Sequence, residues 1–219
     1  MSYNYVEVFY VSRCVIIGGA DIKDYDSIKK YFCPDDFYIF CDSGLFHRNP
    51  LGISPNLIVG DFDSHEKPEE VCEIITLPRE KDDTDTFFAA KEALRRGFTD
   101  FLLVGVIGGR LDHTLGNISI LLHLHSKGAN AVLLDDFSEM EIVDSTPKCI
   151  PDTFPYFSVI NIDGTPHGIT IENAKFPVSD VEITPDYQYG ISNEPLCGKT
   201  ATVSVRQGRM LLIKVKKAV

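Results

Sequence analysis

Residues 101–113 read Phe-Leu-Leu-Val-Gly-Val-Ile-Gly-Gly-Arg-Leu-Asp-His, an uncharged apolar run that breaks at two glycines and an arginine. From Phe101 to Ile107 no polar side chain is offered to water, so as a strand this run is covered on both faces. Beyond it, Leu111, Leu115, Ile118, Leu122 and His125 fall on one face of a helix that ends near Gly128. An apolar strand feeding a helix is the repeating unit of a mostly parallel α/β sheet.

The same texture extends outward in both directions. Upstream, Val6–Ile17 runs into Gly18-Gly19, and Tyr38–Cys41, Leu57–Val59 and Glu73–Leu77 are further apolar strands. Helical periodicity predicts helices over 21–32, 66–72 and 83–96, the last stopping at Gly97 where a C-terminal glycine is expected. Downstream, Ala131–Leu134 completes the series. After about Asp135 the texture changes to short strands over 139–144, 157–162, 167–172, 180–184, 201–205 and 210–215, divided by Pro, Gly, Asn and Asp turns. The expected architecture is a mostly parallel, Rossmann-like α/β sheet domain over 1–137 followed by an antiparallel β-sandwich domain over 138–219.

The bulk numbers narrow the function. With 219 residues, 44% of them hydrophobic, the chain buries an ordinary core. Its formal net charge of −11 is spread along the chain, which speaks against nucleic acid or an anionic membrane as partner. The six cysteines form no C-x-x-C pair and read as reduced, mostly buried thiols of a cytoplasmic protein. Residues 1–13 lack the pattern of a signal peptide, and no run approaches the ~20 apolar residues of a membrane span.

In an open α/β sheet ligands collect beyond the carboxyl ends of the strands. Four unusual segments fall at such ends: Asp42-Ser43-Gly44, Asp61-Phe62-Asp63-Ser64, Lys81-Asp82-Asp83-Thr84-Asp85 and Gly108-Gly109-Arg110-Leu111-Asp112-His113. Asp61 and Asp63 alone suit a turn; with a further acidic cluster on the same edge they suit a hard divalent cation, because clustered carboxylates repel and need a compensating charge. One aspartate of Lys81–Asp85 is explained by a helix N-terminus but three are not; Asp82 and Asp85 are assigned toward the ligand and Asp83 toward solvent. At Gly108-Gly109-Arg110, backbone N–H groups and a guanidinium can surround a phosphate. His113 either contacts substrate or packs on its helix. In the second part, Ser192, Asn193 and Phe176 are accounted for by turn and core without a function.

In this order, GDFDS at 60–64, KDDTD at 81–85, GGRLDH at 108–113 and SN at 192–193 resemble the thiamine pyrophosphokinase family over nearly the whole chain. The resemblance implies transfer of a diphosphate from ATP to the hydroxyl of thiamine, giving thiamine diphosphate and AMP, with Mg²⁺. It implies a homodimer with the thiamine site shared across the interface. Carried over by position, Asp61, Asp63 and Asp85 hold Mg²⁺ and the ATP phosphates; one carboxylate of this group, assigned here to Asp85, is also placed to accept the hydroxyl proton. Arg110 grips phosphate, and Asp42, Gly44, Asp82, Thr84, Gly108, Gly109, Asp112 and His113 serve the nucleotide. Ser192 and Asn193 lie near thiamine; the chain has no Trp, so Phe176 is the available aromatic. The family's Asp-Gly-Gly after the second strand is here Asp-Ser-Gly. The rival readings are a metal-dependent nucleotide phosphohydrolase and a non-catalytic nucleotide or thiamine sensor.

Overall fold

The structure is a computed structural model that describes residues 12–62, 72–78, 80 and 82–217. The strands are β1 Cys14–Ile17, β2 Phe37–Cys41, β3 Leu57–Gly60, β4 Glu73–Thr76, β5 Asp100–Val104, β6 Asn130–Leu134, β7 Ser138–Val143, β8 Lys148–Pro151, β9 Tyr156–Ile160, β10 His167–Glu172, β11 Val178–Glu182, β12 Thr200–Gln207 and β13 Met210–Val215. The helices are α1 Tyr25–Lys29, α2 Arg48–Leu51, α3 Asp85–Arg95 and α4 Leu111–Ser126, with a 3₁₀ turn over Asp42–His47 leading into α2.

Among the described residues nine strands form one sheet in the order β4-β3-β2-β1-β5-β6-β7-β13-β9, and β11-β10-β12-β8 form a second. From β4 to β6 all pairings are parallel. Along β1 the side chains alternate between two cores: Cys14 and Ile16 join the cluster that includes Ala89 and Ala93 of α3 and Leu121 and Leu124 of α4, whereas Val15 and Ile17 join Ile28 of α1 and Leu51 of α2. Coverage on both faces is what an uninterrupted apolar strand requires. From β1 the chain steps outward through β2, β3 and β4, then returns to place β5 on the other side of β1. The order therefore reverses between β1 and β5, the switch point at which open α/β sheets leave a crevice.

The sheet continues past residue 137. A tight turn, in which Asp135 Oδ1 accepts from the Phe137 and Ser138 N–H groups at 2.9 and 2.6 Å, reverses the chain into β7, which pairs antiparallel with β6. Antiparallel β13 and β9 extend the sheet further. Val143, Phe157, Val159, Met210 and Leu212 from this end pack with Ile150, Ile169, Val203 and Val205 of the small sheet, making the sandwich core.

Several local expectations change. The sequence reading gives no strand at β8 and no helical turn after β2; of the helix expected at 66–72, all but Cys72 lies outside the described residues. On α4 the fully buried positions are Asn117, Ile120, Leu121 and Leu124, while Leu111 and Leu115 are 68% and 57% exposed. Apolar residues occupy more than one face of this helix, so periodicity alone leaves its rotation open. Of the six cysteines, none of them in a disulfide, only Cys14 and Cys41 are buried; Cys33, Cys149 and Cys197 are exposed.

Candidate active site

The switch point is closed by backbone packed on backbone. Gly18 donates its N–H to the Val104 carbonyl and Ala20 to the Gly105 carbonyl, both at 2.8 Å. A Cβ on Gly18 would sit 2.5 Å from the Gly105 oxygen, and one on Gly19 would sit 1.9 Å from Ser43 Oγ. Only glycine permits the loops after β1, β2 and β5 to approach this closely.

Beside this seam lie the carboxylates. Asp42 opens the 3₁₀ turn at a φ of +37°, and the missing side chain of Gly60 leaves 3.2 Å to the Asp42 Cβ, so the ends of β2 and β3 touch there. Asp61 follows Gly60 directly, ahead of Phe62 at a φ of +52°. Asp85 is the first residue of α3. Burial, reinforced by the Asp85 and Asp42 carboxylates, drives the Cys41 thiol well above its ordinary range. Those two acids therefore flank the end of β2. Asp63 lies outside the described residues.

Other expected residues have local partners. Thr84 caps α3, its hydroxyl accepting from the Phe87 N–H at 3.2 Å. Asp83, expected to face solvent, pairs with Lys91, and Asp82 is exposed. Gly44 is buried against the Ile17 carbonyl, 2.3 Å from where its Cβ would be. Arg110 stands at the N-terminus of α4 and donates to Asp112 Oδ1 at 3.2 Å. That hydrogen bond is the main cause that lowers the Asp112 carboxyl to about 2. Thr114 Oγ1 accepts from the Gly108 N–H at 3.2 Å and donates to the Arg110 carbonyl at 3.3 Å, which fixes the Gly-Gly-Arg turn.

Two clefts open here. One, of about 440 Å³, is walled by Gly18, Gly19, Asp21, Ser43, Gly108 and Arg110 among others. The second, of about 330 Å³, lies between α3 and α4 and is lined by Asp82, Thr84, Phe87, Asp112 and Ile120 among others. His113 and Asn117 line both and form their common wall. Asn117 is buried, and its Nδ2 donates to the Val106 carbonyl at 2.7 Å. The sequence reading did not single out Ser43 of Asp42-Ser43-Gly44, Thr86 or Asn117, and took Gly18-Gly19 only as a turn; a glycine pair at a strand end was the available signal.

Ser192, Asn193 and Phe176 line neither cleft. Phe176 and Asn193 instead border a small cavity of about 70 Å³ in the sandwich. Asn193 Oδ1 accepts from the Phe176 and Glu194 N–H groups at 3.0 and 2.9 Å, and its Nδ2 donates to the Phe176 carbonyl at 2.8 Å. Ser192 has a φ of +58°, and its N–H donates to Ser158 Oγ at 3.0 Å.

Among the described residues no three His, Cys, Asp or Glu side chains gather to hold a metal by themselves. Hard carboxylate oxygens at the ends of β2 and β3 and at the start of α3 nevertheless fit Mg²⁺, which is commonly held by one or two carboxylates and completed by phosphates and water.

Comparison with known proteins adds a family to this geometry. Residues 28–133 match the model of the thiamin pyrophosphokinase catalytic domain, and residues 141–210 match that of the thiamin pyrophosphokinase vitamin B1 binding domain. The thiamine pyrophosphokinase of Bacillus subtilis is 27% identical over 207 residues, 91% of this chain and 96% of its own length. The crystal structure of thiamine pyrophosphokinase from Bacillus subtilis superposes with a TM-score of 0.82 at 25% identity, covering 94% of this chain and all of that one. The yeast thiamin pyrophosphokinase shares the fold at 15% identity, with a TM-score of 0.73 over 94% of this chain and 87% of that one. With both domains matched in order and a relative aligned nearly end to end, the chain belongs to the thiamin pyrophosphokinase family.

Proposed function

We propose that this chain transfers the diphosphate group of ATP to the hydroxyl of thiamine, producing thiamine diphosphate and AMP in a Mg²⁺-dependent reaction. The observation that carries this reading is the pair of adjoining clefts at the sheet's switch point, which share His113 and Asn117 in their linings. A two-substrate group transfer needs donor and acceptor side by side with little water between them.

The donor occupies the larger cleft. N–H groups of the loops after β1 and β5 face its phosphates, Arg110 grips them, and Asp42 and Asp112 help hold the nucleotide. The thiamine hydroxyl attacks the β-phosphorus, the bond from that phosphorus to the oxygen of the α-phosphate breaks, and AMP leaves with the electron pair. Asp85 accepts the hydroxyl proton. Asp61, Asp63 and Asp85 would hold Mg²⁺, which would offset phosphate charge when bound.

The acceptor sits toward the second cleft. Ser192, Asn193 and Phe176 line neither cleft of their own chain, so a homodimer is proposed in which these residues of one protomer close the acceptor site of the other. On this view residues 1–137 carry the nucleotide and the chemistry, and 138–219 carry thiamine recognition and the dimer contact. No helix among the described residues is long and apolar enough to cross a membrane, and six cysteines without a disulfide suit a reducing compartment, the cytoplasm.

The test is to incubate the purified chain with ATP, Mg²⁺ and thiamine and to quantify products. AMP and thiamine diphosphate in equal amounts, each requiring thiamine, support the transfer. Nucleotide hydrolysis that proceeds without thiamine, or tight binding without turnover, overturns it.

A further inference from the structure

His47 closes the 3₁₀ turn that Asp42 opens, and it is only 6% exposed. Both of its ring nitrogens are engaged. Nε2 lies 3.0 Å from the Ala20 carbonyl oxygen, and Nδ1 lies 2.8 Å from the Tyr25 hydroxyl. A carbonyl can only accept, so the ring proton is on Nε2, and Nδ1 accepts from Tyr25. Burial holds the ring below the ordinary histidine range against the opposing pull of the Ala20 carbonyl and of Asp21. The imidazole is thus a neutral linker with one defined tautomer.

What it links is the larger cleft. Ala20 sits between Gly19 and Asp21 in the wall of that cleft. Its N–H is held by the Gly105 carbonyl at 2.8 Å, and its Cβ lies 2.9 Å from the place a side chain on Gly108 would take. The loops after β1 and β5 are therefore fastened to each other through backbone. The Asp42 turn after β2 is fastened to them through one side-chain bond, His47 Nε2–H to Ala20 O. His47 itself lies outside the lining of either cleft.

We propose that His47 is a positioning residue for the nucleotide: its Nε2–H holds the Gly18–Asp21 loop in register with the turn that carries Asp42, and thereby sets affinity for ATP without touching it. The proposal rests on the reading that the larger cleft takes ATP. Losing the bond lets the loop drift from the Asp42 turn and weakens the donor substrate. The acceptor cleft, built from α3 and α4, is left as it was.

Two neutral substitutions separate the roles. In His47→Gln the amide reaches the Nε2 position and keeps a donor toward Ala20; in His47→Asn it reaches only the Nδ1 position, so Tyr25 keeps a partner and Ala20 loses one. Steady-state kinetics should show His47→Asn raising KM for ATP about tenfold, with KM for thiamine changed by less than about twofold, and His47→Gln within about threefold of the parent for both. Titration with a fluorescent ATP analogue should give the same order of Kd values. Equal behaviour of the two variants, an unchanged KM for ATP in folded His47→Asn, a common shift of both KM values, or failure of both variants to fold would overturn the proposal. A parent protein without turnover would defeat the assigned reaction instead, and the nucleotide titration would still decide the role of His47.

Discussion

The turn after β5, which carries Gly108 to Arg110 and opens α4, and the stretch Ser192 to Glu194 between β11 and β12, which bridges β9 at Phe157, are both short polar segments. Their side chains are used in opposite ways. Arg110 is 70% exposed at the mouth of a cleft, and nothing lies within 4 Å of where a side chain on Gly109 would be. Asn193 is 4% exposed, with its amide committed to the backbone of Phe176 and Glu194. Residue types that look equally functional in a sequence are thus divided by whether the fold leaves them open to a ligand or buries them in its own hydrogen bonds. At the sheet edge Arg110 pairs with Asp112 yet stays open to a ligand, whereas the sandwich turn buries Asn193 to hold Phe176 out, 59% exposed.

If that division is right, removing a charge at the edge should cost rate and leave the fold alone. Asp61→Asn and Asp63→Asn are expected to lower kcat by about a thousandfold or more, roughly the loss of 4 kcal/mol of transition-state stabilisation. The melting temperature should stay within a few degrees, and AMP release beside a thermal melt checks both. Remaining activity near the parent level would break the comparison at its stronger end. Glycines at the same edge give a graded version. Gly19→Ala puts a methyl 1.9 Å from Ser43 Oγ and should raise KM for ATP by about tenfold or more, while Gly109→Ala meets no atom and should stay within about threefold.

At the sandwich turn the expectation inverts. Asn193→Ala removes the three backbone bonds described above and takes their partner from the part-buried N–H and C=O of Phe176 and the N–H of Glu194. The expected loss is about 2–3 kcal/mol in urea unfolding, with KM for thiamine rising because Phe176 is no longer held. A variant as stable as the parent, with only thiamine affinity lost, would mean that Asn193 acts on thiamine directly rather than by holding Phe176.

The same contrast accounts for what was legible in the sequence. The parallel half was readable because β1, β3 and β5 are buried on both faces, which leaves long apolar runs such as Phe101–Val104. Strand β8 escaped notice because its four residues, Lys-Cys-Ile-Pro, bury only Ile150. The rotation of α4 was unreadable because Leu111 and Leu115 are apolar yet exposed, beyond the layer that covers the sheet. At the site, the acidic segments were legible because their residue types are costly to cluster without a cation. Asn117 was invisible because an asparagine inside an apolar helix carries no signal until Val106 and two clefts are placed around it. Continuity of the sheet across residue 137 was hidden as well, since pairing of β6 with β7 depends on a turn and leaves no mark in composition.

The narrowest test lies within a single helix. Asp85 opens α3 at the edge, and Glu92, two turns further along, is 9% exposed and far from it in role. Hydrogen bonding from Arg95, with further help from Arg96, outweighs burial and lowers the Glu92 carboxyl from its ordinary 4.5 to about 2. A carboxylate whose pKa is depressed by folding adds stability above its unfolded value and loses it as pH falls toward the folded one. Because Arg95 is largely exposed, its share is screened, and Glu92→Gln should cost only about 1–2 kcal/mol at pH 7. The gap between parent and variant should be constant above about pH 5.5, narrow between 4.5 and 2, and vanish at the lower limit, while activity at pH 7 stays near the parent level. Urea unfolding of both proteins across that range reads the difference directly. A gap that persists at low pH would mean that Glu92 acts through packing rather than charge. A collapse of turnover would mean that the division between edge and scaffold does not hold even along one helix.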